Sequence, residues 1–254
     1  MENKKDNKQI EKQDWEQAQE WEKQFWDRFV RREDGITNLG FLKKIARRVI
    51  RGTTEEPSNY WWEEQFENYS FLPDHLEEVI EYGCGPFTNL RLIMNGRKGD
   101  HIVASDPLAR HYVSYKGHFL AERWKRREYL IDDHPMEQPY FADNVFDLAV
   151  CINVLDHVQN WEKCMENFVR TIRPGGYAVF GQELTNEEDL QAIEEIRKMA
   201  QSDVGHPHKF PDESIFRPYF QDFEAIIDKP LSREQVRLPD WHFGTWIYAG
   251  RKKQ

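Results

Sequence analysis

Val79-Ile80-Glu81-Tyr82-Gly83-Cys84-Gly85-Pro86-Phe87 decides how this chain is read. An apolar pair runs into an acidic residue, two glycines follow at alternate positions, and Thr88-Asn89-Leu90-Arg91-Leu92-Ile93-Met94 can continue as a helix. This is the pattern of a strand that ends in a tight turn and opens a helix. Glycine suits the turn because its backbone can take positive φ and can lie bare against a ligand. Two glycines recur by chance in many chains, so their weight comes from the elements that follow.

Downstream of Pro73 short apolar runs alternate with helical stretches. Residues 79–82, 101–105, 129–131, 146–152, 177–181, 223–227 and 245–250 read as strands. Residues 87–95, 108–125, 161–172 and 186–200 read as helices, the last with Asn186 as its cap. Pro174-Gly175-Gly176 reads as a turn. Strands alternating with helices imply an α/β domain over 74–254, with a mostly parallel sheet covered on both faces.

Upstream, residues 1–14 are polar and read as a disordered tail. Residues 15–73 read as an N-terminal helical lid or extension. In it, Trp15, Phe25, Trp26, Phe29 and Val30 recur near helical spacing, giving an amphipathic helix over 15–32. A second helix is expected over 39–50, with a basic face of Lys43, Lys44, Arg47, Arg48 and Arg51 that packs as a solvated face or sits on an anionic surface. The rings from Tyr60-Trp61-Trp62 to Phe71 either pack on the main domain or form a lid over a ligand.

The 254 residues carry 35 basic and 45 acidic side chains, a formal charge of −10, which disfavours a general nucleic-acid binder. No apolar run approaches the roughly 20 residues needed to cross a bilayer. Cys84, Cys151 and Cys164 are odd in number and form no C-x-x-C pair, so no disulfide framework or metal site is expected and a cytoplasmic compartment fits.

In an open parallel sheet, ligands bind at the carboxyl ends of the strands. Here those ends carry Glu81-x-Gly83-x-Gly85, then Asp106, then Asn153-Val154-Leu155-Asp156-His157. A carboxylate at the end of the second strand can accept hydrogen bonds from both hydroxyls of a ribose. Two nucleoside ligands fit, a dinucleotide or S-adenosylmethionine. A dinucleotide turn wants a third glycine where this chain has Thr88, and Glu81 would lie close to a diphosphate. Glu81 suits an ammonium group, which favours the sulfonium cofactor.

At these residues the chain resembles the class I S-adenosylmethionine-dependent methyltransferases, from about Leu76 to the C-terminus. Glu81-Tyr82-Gly83-Cys84-Gly85 is similar to the family's cofactor turn, and Asp106 to its ribose-binding acid. The run 134–147 and then Val154-Leu155-Asp156-His157-Val158 with Ile172-Arg173-Pro174-Gly175-Gly176-Tyr177 resemble the segments around its fourth strand. The resemblance implies a Rossmann-like, doubly wound sheet of seven strands, the last antiparallel. It also implies that Glu81, Gly83, Cys84, Gly85, Asp106, Pro107, Met136, Glu137, Asn153 and Val154 surround the cofactor. Two positions depart from the family: Phe87 replaces a third glycine, and Pro135 replaces an acid that binds the adenine amino group. Adenine would then meet the Met136 backbone, Asp133 or Glu137.

Methyl transfer needs an oriented acceptor and, for a hydroxyl or ammonium, a group to take a proton. The candidates are His157 beyond the fourth strand, and His206 and His208 in the connection after the fifth; Trp241-His242 is expected to pack. The acceptor is expected to be a small molecule with a hydroxyl or amine, a saccharide or secondary-metabolite intermediate being examples. The competing expectation is an inactive binding protein that docks a partner through its N-terminal helices. A nicotinamide oxidoreductase is disfavoured by Thr88.

Overall fold

The computed structural model describes residues 10–37, 65–138, 140–185, 206–232 and 244–254, with residues 191 and 235 in addition. The expected helix at 39–50, that at 186–200 apart from Gln191, the rings at 60–62 and the pair Trp241-His242 lie outside the described residues.

Seven strands form one sheet: β1 (His75–Tyr82), β2 (Lys98–Ser105), β3 (Leu130–Asp132), β4 (Phe146–Ile152), β5 (Ile172–Leu184), β6 (Phe223–Leu231) and β7 (Gly244–Lys252). Their order across the sheet is β3-β2-β1-β4-β5-β7-β6. The first five run parallel to one another, and β7 pairs antiparallel with both β5 and β6. The expected fold class and the antiparallel last strand are both present.

The middle stretches of the central strands are mostly apolar because helices or loops cover both faces, and β4 is buried from Phe146 to Ile152 with Asp147 as its polar residue. Successive residues supply opposite layers. Val79, Leu148 and Val150 pack into one cluster with Leu90, Ile93 and Tyr112. Ile80, Ala149 and Cys151 pack into the other with Met165, Phe168 and Phe180.

The helices are α1 (Lys12–Thr37), α2 (Leu90–Ile93), α3 (Ala109–Tyr112), α4 (Phe119–Lys125) and α5 (Trp161–Thr171). Two differ from expectation. The helix expected over 87–95 is one turn, because Thr88 takes φ +48 and the chain turns until Asn89. The helix expected over 108–125 is two pieces, broken where Gly117 takes φ +83. The fifth strand begins earlier than expected, and the turn at Gly175 (φ +79) is an irregularity inside it between the Phe146–Ile172 and Leu148–Tyr177 pairings. Helix α1 also starts before Trp15, and Ile10 joins Gln159 through an N–H bond of 3.0 Å.

The sheet order turns back between β1 and β4, so the carboxyl ends of β1, β2 and β4 diverge and leave a crevice there. Helix α1 lies over it. Trp26 packs edge-on against Phe87 with centroids 5.5 Å apart. Asp27 accepts hydrogen bonds from the Tyr115 hydroxyl at 2.9 Å and meets His111 Nε2 at 2.8 Å. No helix among the described residues is long and apolar enough to cross a membrane.

Candidate active site

The crevice encloses a cavity of about 510 Å³, within the usual range for small-molecule sites. Its floor is the glycine turn after β1. Gly83 and Gly85 take φ +66 and +53, and a side chain on Gly83 would strike Val154. The Cys84 amide donates to the Ser105 carbonyl at 3.1 Å, which ties the turn to the end of β2.

Asp106 stands at that end and lines the cavity. Its Oδ2 accepts from the Gly85 amide at 3.1 Å and its Oδ1 from the Leu108 amide at 2.8 Å. Burial pushes its pKa up to about 6, against those two donors. Each carboxylate oxygen has a second lone pair, so the group can still accept from a diol.

Glu81 has a different place from the one its sequence suggested. It is fully buried and is not among the residues lining the cavity. Its carboxylate accepts from the Thr88 hydroxyl, from the Asn89 amide at 2.8 Å and from the Asn89 side chain at 2.9 Å. Burial raises its pKa to about 7, and these donors oppose the rise. The carboxylate braces the turn from behind and does not present itself to an ammonium group in the cavity.

On the far side, Pro107, Met136, Glu137 and His134 line the cavity. The Met136 carbonyl accepts from Asn167 Nδ2 at 2.8 Å, and Glu137 Oε1 accepts from the Gln159 and Asn160 amides at 2.6 and 3.0 Å. Asp133 is held by Arg110, whose guanidinium lowers its pKa. Asp132 accepts from the Ser105 hydroxyl at 2.8 Å and meets His134 Nδ1 at 2.6 Å.

The third wall is the loop after β4. Gln182 on β5 organises it. This buried amide accepts from the Leu155 N–H at 3.1 Å and donates to Asp156 Oδ1 at 3.1 Å and to Asn153 Oδ1 at 3.3 Å. Asn153 itself takes φ +56, and it lines the cavity with Val154. Asp156 Oδ2 lies 2.7 Å from His206 Nδ1 and 3.6 Å from His157 Nε2. Burial alone would raise the Asp156 carboxyl, but His157, His206 and Gln182 hold it far below the usual carboxylate range.

His157 and His206 both line the cavity, with ring centroids 4.3 Å apart. His208 does not. It is buried, burial lowers its pKa, and its Nε2 donates to the Val158 carbonyl at 2.8 Å. Asp156, His157 and His206 have ligand atoms within 4.8 Å of one another, close enough to share a cation. The direct Asp156–His206 hydrogen bond joins two of them without one.

Residues 43–223, more than half of the chain, match the family described as a methyltransferase domain. The chain belongs to that family. Its fold is the one shared by class I S-adenosylmethionine-dependent methyltransferases. A thiol S-methyltransferase of Rattus norvegicus, TMT1B, is 27% identical over 116 residues, which cover 45% of this chain and 46% of the relative. The chain therefore matches only about half the length of that relative. A putative sarcosine dimethylglycine methyltransferase from Galdieria sulphuraria superposes with TM-score 0.56 and 10% identity, covering 80% of this chain and 88% of the other. The N-methyltransferase NodS from Bradyrhizobium japonicum gives TM-score 0.55 and 15% identity over 78% of this chain and all of the other.

Several parts of this methyltransferase cavity were not read from the sequence. Trp15, Trp21, Glu22, Phe25 and Trp26 of α1 line it, and so does Glu183 at the end of β5. The rings at helical spacing signalled a buried face, but not which part of the domain that face covers. Gln182 carried no signal, because its role depends on the loop folded over it.

The Asp156 pairing gives a stability prediction. Removing one member of a buried, hydrogen-bonded pair costs about 3 kcal/mol. Asp156→Ala is therefore expected to lose about that much in urea unfolding at pH 7. The depressed carboxyl contributes stability that is present above about pH 4 and lost as the pH falls. The gap between wild type and variant should accordingly shrink below pH 4, and a gap independent of pH would contradict the assignment.

Proposed function

We propose that the cavity binds S-adenosylmethionine and that the protein transfers its methyl group to a hydroxyl or amine of a small molecule. One observation carries the reading: a single volume is bounded by the bare glycine turn, the Asp106 carboxylate and His206, whose Nδ1 Asp156 engages from behind. The residues suit a nucleoside without phosphates. Asp106 offers acceptors to a diol, the turn offers backbone, and Thr88 stands where a dinucleotide turn has its third glycine.

When bound, the cofactor supplies an electrophilic methyl group with sulfur as the leaving atom. The chain's residues supply position and proton transfer. Asp106 and the 83–85 turn hold the nucleoside; Met136 and Val154 give apolar contact to its base. Helix α1 covers the cavity and limits water. His206 takes the acceptor's proton. Asp156 engages its Nδ1, which orients the ring and leaves Nε2 as the accepting nitrogen. His157, between Asp156 and Glu22, is its neighbour and alternate.

Calorimetric titration with S-adenosylhomocysteine, with NAD as control, tests the cofactor reading. Micromolar binding of the first alone is expected. Asp106 accepts hydroxyl donors best when ionised, so a carboxyl with a pKa of about 6 should bind more weakly as the pH falls. Between pH 7.5 and 5 the affinity is expected to drop about tenfold. Binding of NAD, or no heat with either compound, would overturn the reading.

A further inference from the structure

Two imidazoles converge on one carboxylate at the wall of the cavity. Asp156 and His157 come from the loop after β4, and His206 from a segment fifty residues beyond Asp156. Asp156 Oδ2 is the shared point: His206 Nδ1 lies 2.7 Å from it and His157 Nε2 lies 3.6 Å from it. The three ligand atoms are within 4.8 Å of one another. No short motif announces this set, because its members meet only through the fold.

The surroundings hold the three groups in that orientation. Gln182 Nε2 donates to the other carboxylate oxygen, Asp156 Oδ1, at 3.1 Å, so Oδ2 is the one turned to the histidines. The Asp156 carbonyl accepts from the His208 amide at 3.3 Å, which ties the two segments together beside the cluster. Glu22 Oε2 stands 3.8 Å from His157 Nδ1, while the ring's other nitrogen faces Asp156. A carboxylate behind a ligating imidazole orients the ring and raises its basicity. Asp156 is buried, but the side chains of His157 and His206 are 21% and 33% exposed and both line the cavity, which gives an ion and its water a way in.

The spacing suits a small tetrahedral ion. Zinc with bonds of about 2.0–2.1 Å sets its ligand atoms about 3.3 Å apart. His157 Nε2 is within about 0.3 Å of that separation from Asp156 Oδ2, and His206 Nδ1 reaches it by withdrawing about 0.6 Å. The Asp156–His206 hydrogen bond is the metal-free form of the same arrangement. We propose that Asp156, His157 and His206 form a zinc site, with Oδ2, Nε2 and Nδ1 as ligands and water in the fourth position. On binding, the Nδ1 proton of His206 leaves to solvent and the nitrogen lone pair goes to the metal. Two imidazoles with one carboxylate select zinc over magnesium or calcium, which take oxygen ligands. The site stands independently of the cofactor reading. Where His206 is the proton acceptor, zinc inhibits, because a neutral imidazole ligated through Nδ1 carries its proton on Nε2.

Zinc chloride titrated into the full, chelator-stripped chain at pH 7.5 tests this by calorimetry. One ion per chain is expected, with a Kd below about 10 μM, and about a hundredfold excess of magnesium should not displace it. His157→Ala and His206→Asn should each weaken zinc about a hundredfold, the asparagine keeping a donor for Asp156. A second measurement needs no variant, since substitution beside a buried carboxylate can unfold a chain. In the wild type, zinc should protect His157 and His206 from acylation by diethyl pyrocarbonate, located by mass spectrometry, and leave the exposed His75 and His101 reactive. Binding weaker than about 10 μM, displacement by magnesium, affinity unchanged in both folded variants, or no protection of His157 and His206 overturns the proposal.

Discussion

Asp106→Ala is expected to weaken S-adenosylhomocysteine binding by a hundredfold or more, measured by calorimetry at pH 7.5. The carboxylate stands at the end of β2, held by the Gly85 and Leu108 amides, and faces the cavity. Hydrogen bonds to a charged group are worth about 1.5–3 kcal/mol each, so losing two to a ribose diol amounts to at least 3 kcal/mol. That is more than two powers of ten in affinity. The alanine also leaves the Gly85 amide without its acceptor and loosens the turn on which the ligand rests. Asp106→Asn separates the two effects, because it keeps a side-chain oxygen and removes the charge; an intermediate loss of about tenfold is expected. Stability should change little in either variant. Burial disfavours the charged form at this position, and relief of that cost offsets the lost amide bonds. Unchanged affinity in the alanine variant would mean that the nucleoside does not sit against β2.

The sheet was legible because its signals are local. Residues 148–152 of β4 are a continuous apolar run, as a strand covered on both faces needs, and the glycines after β1 mark a turn that no other residue takes cheaply. Asp106 could be placed because it ends a strand, and strand ends in such a sheet face the ligand.

What was missed depends on partners distant in sequence. Phe87-Thr88 reads as the start of a helix, yet the buried Glu81 carboxylate gathers the Thr88 hydroxyl and the Asn89 amide and delays it. The charge of Glu81 suggested an ammonium partner; its burial, set by β2 and β4 on either side, turned it to the protein instead. His206 and His208 are two residues apart, and nothing local ranks them. Asp156, fifty residues earlier in the chain, selects His206, and the Val158 carbonyl takes His208. Helix α1 was visible from its rings, but its contact with Phe87, His111 and Tyr115 is tertiary and decides that it roofs the site.

The glycine turn supports the other large expected effect, and its two glycines should behave differently. Gly83→Ala meets two costs. Its φ of +66 is a left-handed conformation that costs an alanine about 1 kcal/mol or more. Its new methyl would also lie 2.3 Å from Val154 Cγ2, 2.6 Å from Cγ1 and 3.0 Å from Cβ. Rotating the valine cannot relieve a contact that involves both methyls and the branch point, so the loop after β4 must move. Overpacking of this kind costs about 1–3 kcal/mol, for a total near 3 kcal/mol and a fall in Tm of roughly 10 °C. The double variant Gly83→Ala, Val154→Ala removes the obstructing methyls and should recover part of that loss. Gly85→Ala carries the conformational cost alone, since nothing lies within 4 Å of its would-be methyl, and should lower Tm by roughly 3 °C. That methyl would stand on the cavity floor, where the cofactor needs bare backbone, so Gly85→Ala should weaken S-adenosylhomocysteine binding despite its small stability cost. Equal losses of Tm in the two single variants would mean that Val154 does not close over Gly83. Full binding by Gly85→Ala would mean that the ligand does not rest on the turn.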